Sequence, residues 1–229
     1  MEQDKYLRMS KNERIQHFLL LISFITLVIT GFMLKFPEAF WVKWFVYIFG
    51  NYTFGLRGIV HRIAAVVMVS DSIYHIFYVI FNRRGRQLIK DLWFYKSDIS
   101  DITSSIKYLF SNTAPHPKLG RFSYIEKAEY WAVVWGTLVM GLTGAALWFN
   151  NTFLPLLGMG GMNIATAIHW YEAILASLAI LVWHFYFVFI NPDVFPMNKA
   201  WFTGYLTREQ MEHEHAREIE DIEKNSEVK

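Results

Sequence analysis

The chain has 229 residues, of which 54% are hydrophobic and 18% aromatic, with a formal net charge of only +2. That is more apolar than a soluble domain of this length usually is, and the near-neutral balance gives no support to a nucleic-acid partner. There is no cysteine, so disulfides, thiolate metal sites, iron–sulfur clusters and covalently attached c-type haem are excluded within this chain.

The first fourteen residues are polar and mixed in charge, and no small-residue cleavage site follows the first apolar run, so no cleavable signal peptide is expected. Four apolar stretches follow, at about residues 15–34, 58–81, 127–149 and 165–190. Each reaches the roughly 20 residues that a helix needs to cross a hydrocarbon core about 30 Å thick. The expected fold is therefore all-α, an integral membrane four-helix bundle with interfacial helices over residues 1–206, followed by a charged cytoplasmic tail over 207–229.

Between the first two spans, Phe40–Phe49 is rich in Trp and Phe and reads as an amphipathic helix lying in the membrane interface. The long connection 82–126 should carry structure of its own, because structureless loops of that length are uncommon. Within it, Asp98–Phe110 has apolar residues at helical spacing behind an Asp/Ser start and reads as a surface helix. The connection 150–166 reads as a loop, and the tail from Thr207 as a helix in which His213 and His215 have no specific task.

Lysine and arginine counts orient the spans. Lys5, Arg8, Lys11 and Arg14 precede the first span; Arg83, Arg84, Arg86, Lys90, Lys96, Lys107, Lys118, Arg121 and Lys127 lie between the second and third; Lys199, Arg208, Arg217, Lys224 and Lys229 follow the fourth. The other side has Lys35, Lys43, Arg57 and Arg62. The positive-inside rule places both termini in the cytoplasm of a bacterial or archaeal cell, the chain being multi-pass in the inner membrane.

Five of the eight histidines fall in the spans: His17, His61, His75, His169 and His184. His61 and His75 are about 21 Å apart along a helix and point to nearly one face; His169 and His184 are about 22 Å apart, offset by about 60°. With the second and fourth spans running inward, His61 and His169 form an outer layer, and His75, His184 and His17 an inner one. Histidine is a natural axial ligand of haem iron, and two six-coordinate irons need four. Di-iron would need paired Glu-x-x-His motifs, and zinc three or four ligands at one depth. Asp71 and Glu172, also at membrane depth, are candidates for proton relay or charge neutralisation. The sequence Thr30-Gly31 ending the first span is echoed by Thr143-Gly144 near the end of the third. These small residues serve close helix packing or leave room for a flat macrocycle.

These segments together resemble the membrane cytochrome b subunits of formate dehydrogenase, nickel–iron hydrogenase and thiosulfate reductase complexes. The resemblance rests on Arg14-Ile-Gln-His17 before a helix ending in Thr-Gly, Val60-His61-Arg62, Gly120-Arg-Phe-Ser-Tyr-Ile-Glu-Lys127 with Tyr130-Trp131, Ile168-His169-Trp170-Tyr171-Glu172 and Trp183-His184-Phe185-Tyr186. It implies two haem b groups, the outer held by His61 and His169 and the inner by His17 with His184. His75 is a rival inner ligand, because a His75–His184 pair would place two ligands on each of two helices. It further implies a quinone site, for menaquinone or ubiquinone, at the cytoplasmic start of the third span, where Ser123, Glu126 and also Glu129 stand. Partners implied besides the lipid bilayer and the quinone pool are a periplasmic dehydrogenase with an iron–sulfur subunit, or a multihaem cytochrome c. Set against this electron-transfer role are a transporter and a haem-free membrane anchor.

Overall fold

The computed structural model describes residues 5–227, apart from 112, 114 and 193; Lys229 of the charged tail lies outside them. A short strand β1 (Lys5–Leu7) leads into α1 (Lys11–Lys35). The short helix α2 (Phe40–Phe49) precedes α3 (Thr53–Phe81), α4 (Arg83–Asp91) and α5 (Lys96–Phe110). Then come α6 (Tyr124–Trp148) and α7 (Asn150–Leu178), which continues through π-helical turns at Ala179–His184 and Tyr186–Ile190. The chain closes with α8 (Ala200–Thr203), β2 (Tyr205–Thr207), α9 (Arg208–Glu214) and α10 (Ala216–Glu227).

Four of these helices are long and apolar enough to cross a membrane: Lys11–Lys35, Thr53–Phe81, Tyr124–Trp148 and Asn150–Ile190. At 1.5 Å per residue, the 25 residues of α1 run about 38 Å, more than the hydrocarbon thickness. The stretch expected as a loop, 150–166, is instead helical. Pro155 lies inside α7 and removes one backbone hydrogen bond there, and the break falls at Gly158, whose φ of 66° is open to glycine at little cost. The sequence signals read as a loop therefore mark a kink between two helical pieces.

The helices α1 and α6 begin alike. In α1, Ser10 N–H donates to Glu13 Oε2 (2.7 Å) and Glu13 N–H to Ser10 Oγ (3.3 Å). In α6, Ser123 N–H donates to Glu126 Oε2 (2.7 Å) and Glu126 N–H to Ser123 Oγ (3.2 Å). Each is a reciprocal capping box that satisfies backbone donors the first helical turn would otherwise leave orphaned.

The chain divides into two compact units. One contains Ile15–Ile76 and Trp135–Ile180, the greater part of the four long helices. Its helices meet through Phe32 and Phe36 against Trp170 (5.4 and 5.3 Å between centroids) and through Arg62 over Trp148 (5.4 Å). The other unit contains the chain up to Arg14, Phe77–Val134 and everything from Leu181 onward. There β1 pairs antiparallel with β2, Tyr6 opposite Leu206, and Ala200, Leu206, Met211 and Ile219 form a small apolar core. Acid–base contacts fasten this unit, among them Glu13 with Arg84 (2.9 Å), Asp98 with Lys127 (2.7 Å), Asp101 with Arg217 and Arg8 with Glu218. Glu13 also accepts from the Tyr78 hydroxyl (2.8 Å).

Candidate functional site

The outer histidines sit in two matching settings. In α3, His61 Nδ1 lies 2.9 Å from Thr30 Oγ1 of α1. In α7, His169 Nδ1 lies 2.9 Å from Thr143 Oγ1 of α6. A threonine hydroxyl has one proton to give. Thr30 gives it to the Thr26 carbonyl (2.6 Å) and Thr143 to the Val139 carbonyl (2.7 Å). Each hydroxyl must therefore accept from the imidazole, so the proton is on Nδ1 and the lone pair on Nε2. That is the tautomer with which a histidine binds a metal, its other nitrogen held by an oxygen.

The glycine after each threonine is part of the same arrangement. A Cβ on Gly31 would lie 3.4 Å from His61 Cε1, and one on Gly144 would lie 3.2 Å from His169 Cε1. Glycine thus lets each ring rest directly against the neighbouring backbone. Both rings belong to the same compact unit.

Two inner histidines are held in the same way by different oxygens. His75 Nδ1 is 2.7 Å from Gln16 Oε1, and His184 Nδ1 is 2.9 Å from Glu129 Oε2. An amide oxygen and a carboxylate can only accept, so both rings again carry the proton on Nδ1. His17 lies half-buried in α1, next to Gln16. The 60° offset expected between His169 and His184 assumed a regular α-helix. The π turn at Ala179–His184 bonds i to i+5 and takes up an additional residue, which is the difference between fifteen residues here and fourteen from His61 to His75.

Among the remaining candidates, Asp71 is buried and its Oδ1 has no hydrogen-bond partner among the described residues. Glu172 lies against buried Gly136, whose absent Cβ would be 3.0 Å from Glu172 Oε1. Ser123 and Glu126 are joined as the cap of α6, with Ser123 buried. His215, read as an idle tail residue, is instead buried, its Nδ1 2.8 Å from the Gly120 carbonyl and its Nε2 3.2 Å from Arg8. Burial pushes its pKa below the ordinary histidine value.

Gln16 was not singled out by sequence reasoning, and Glu129 only for quinone. The signal that finds them is an extension of the Thr-Gly echo. Ser10, Glu13, Gln16, Thr30 and Gly31 recur 113 residues later as Ser123, Glu126, Glu129, Thr143 and Gly144. The helices that follow, α3 and α7 with its π turns, answer with His61 and His75 in one half and His169 and His184 in the other. The arrangement is two helical hairpins, each presenting two histidines whose Nδ1 is held by an oxygen from the preceding long helix. A flat iron macrocycle with two axial imidazoles fits what these residues offer: Nε2 lone pairs and glycines beside the rings.

A family model described as prokaryotic cytochrome b561 matches residues 8–197. The formate dehydrogenase cytochrome b556(fdo) subunits of Escherichia coli strains K12, O6:H1 and O157:H7 are each 23% identical to this chain over 227 residues, covering 99% of it and 97% of their own length.

Proposed function

The chain belongs to the prokaryotic cytochrome b561 family, and from that premise we propose that it is the electron-transfer subunit of a quinone-linked oxidoreductase, with two haem b groups. Membrane electron transfer and haem b come with the family. The finer reading is carried by one observation, the Nδ1 hold on four histidines in two matching hairpins. When bound, the haems supply one-electron carriage between the two faces of the bilayer.

His61 and His169 would hold the outer haem through Nε2. Thr30 and Thr143 fix their tautomer, and Gly31 and Gly144 let the rings sit close to the backbone. The inner haem is assigned to His184 with His75 or His17, on their common depth along the helices. The preparation of His75 by Gln16 matches that of the other three rings and supports it as the partner. Glu129 holds His184 through Nδ1 and so fixes the orientation of its ring. Both termini are assigned to the cytoplasm and α2 to the outer interface by the distribution of Lys and Arg.

Menaquinone or ubiquinone would react at the cytoplasmic end, where Ser123 and Glu126 stand at the start of α6. Asp71, a buried carboxyl with an unmet oxygen, is suited to holding a proton for that reaction. No nucleotide or phosphate-binding motif is present in the sequence, so a partner must supply the other half-reaction. Because the relatives are named as formate dehydrogenase subunits, a periplasmic dehydrogenase with an iron–sulfur subunit is the partner proposed, ahead of a multihaem cytochrome c.

An optical redox titration of the purified protein tests this. Two b-type components are expected. His61→Ala and His169→Ala should each remove one component and leave the other, while His184→Ala should remove the second together with reduction by quinol. Retention of both components in His169→Ala would overturn the outer assignment.

A further inference from the structure

Helix α5 is buried on the side a soluble protein would expose. Asp98 and Asp101 are 4% and 7% exposed, whereas Ile99, Ile102, Ile106, Leu109 and Phe110 are 67%, 37%, 51%, 75% and 83% exposed. The acidic side is turned inward by the ion pairs of Asp98 with Lys127 and Asp101 with Arg217. At about 100° per residue these five side chains fall in one stripe roughly 100° wide, with the half-exposed Tyr108 on the other side. Lys96 and Lys107 lie beyond one edge of that stripe, and Asp98 and Asp101 beyond the other.

The height of this helix is set by the membrane-spanning helix α6. Asp98 is bonded to Lys127, and the Leu92 carbonyl just before α5 accepts from Trp131 Nε1 (3.0 Å). Lys127 and Trp131 belong to the first two turns of α6, where a spanning helix leaves the headgroup region. On the other side α4 begins after a single residue, Asn82, beyond the end of α3. Trp93, Phe94 and Tyr95, all exposed, fall between these anchors, and Trp and Tyr are the residues that membranes concentrate at this level. These anchors set the apolar stripe at the level of the first turns of α6.

We propose that α5 lies in the plane of the membrane interface, its apolar stripe in the acyl region and Lys96 and Lys107 among anionic phospholipid headgroups. This rests on the chain spanning a bilayer and is independent of the haems. The two ion pairs act as the fastening that keeps the acidic side against the protein, so the helix rolls neither into water nor into the lipid.

The absence of cysteine allows the test on the full chain, with single nitroxide labels at Ile102→Cys, Ser104→Cys and Ile106→Cys in phosphatidylcholine vesicles with or without phosphatidylglycerol. Ser104 lies about 200° around the helix from either isoleucine. Labels at 102 and 106 should be severalfold more accessible to oxygen than to a water-soluble nickel chelate, and the label at 104 the reverse. A label at Leu138→Cys, on an exposed position of α6, reports the spanning reading separately. If it reads lipid while 102 and 106 read water, the proposal fails and the spanning reading stands. If 102 and 106 are shielded from both reagents, a protein covers the stripe and the proposal fails. If Leu138 also reads water, both readings fall. Replacing Lys96 and Lys107 by Gln should lower the oxygen preference at 106 only in the anionic vesicles; an equal response in both would remove the anionic headgroups from the proposal.

Discussion

The hairpin of α1 and α3 and the hairpin of α6 and α7 solve one problem with nearly the same residues. Each opens with a Ser-x-x-Glu cap, holds an outer histidine by a Thr-Gly pair and holds an inner histidine by a side-chain oxygen. Around the histidines, the differences fall at the end that holds His75 and His184. Gln16 is neutral where Glu129 is acidic, α3 is regular where α7 needs a π turn, and His17 stands where the other half has Tyr130. The lesson is that the setting of His61 and His169 is duplicated while that of His75 and His184 is specialised, as the proposed function asks of one end that only passes electrons and another that also meets quinone and protons.

The comparison can be broken at equivalent positions. The largest difference is expected at Arg14 and Lys127. Lys127 is paired with Asp98 at side-chain exposures of 7% and 6%, so Lys127→Met strands a buried charge and should cost about 3–5 kcal/mol. Arg14 donates to the Phe202 carbonyl (2.6 Å) in a more exposed setting, and Arg14→Met should cost about 1 kcal/mol. Thermal unfolding in detergent compares the two; equal losses would mean that Asp98 finds another partner.

Next come the threonines. Thr30→Val and Thr143→Val keep the shape and remove the acceptor for the Nδ1 proton. Each should weaken haem retention about 10- to 100-fold, read as the haem released to apomyoglobin over time. A loss in one half only would show that the duplication is one of shape and not of task. The smallest effect is expected at the caps. Ser10→Ala and Ser123→Ala should each cost about 1 kcal/mol. A rise in KM for quinol in Ser123→Ala without one in Ser10→Ala would give Ser123 a quinone role beyond its cap.

Much of this was legible in the sequence. Four spans and the Phe40–Phe49 helix follow from hydropathy and length. The misread stretch 150–166 combines Pro155 with Gly158, Gly160 and Gly161, residues that serve equally as a loop or as a kinked helix start. The partners of the inner histidines were hidden because a hydrogen bond from His75 to Gln16 joins residues 59 apart, and only the packing of the helices decides which polar residue faces which ring. The pairing of β1 with β2 and the burial of His215 join the two ends of the chain and leave no local signal.

The account stands on histidines prepared to bind iron, and the pyridine haemochrome of the purified chain measures that directly. About two b haems per polypeptide, with reduced-minus-oxidised spectra of the b type, is the predicted result. A preparation that carries none after expression with ample haem would contradict the account, and one haem alone would confine it to a single layer.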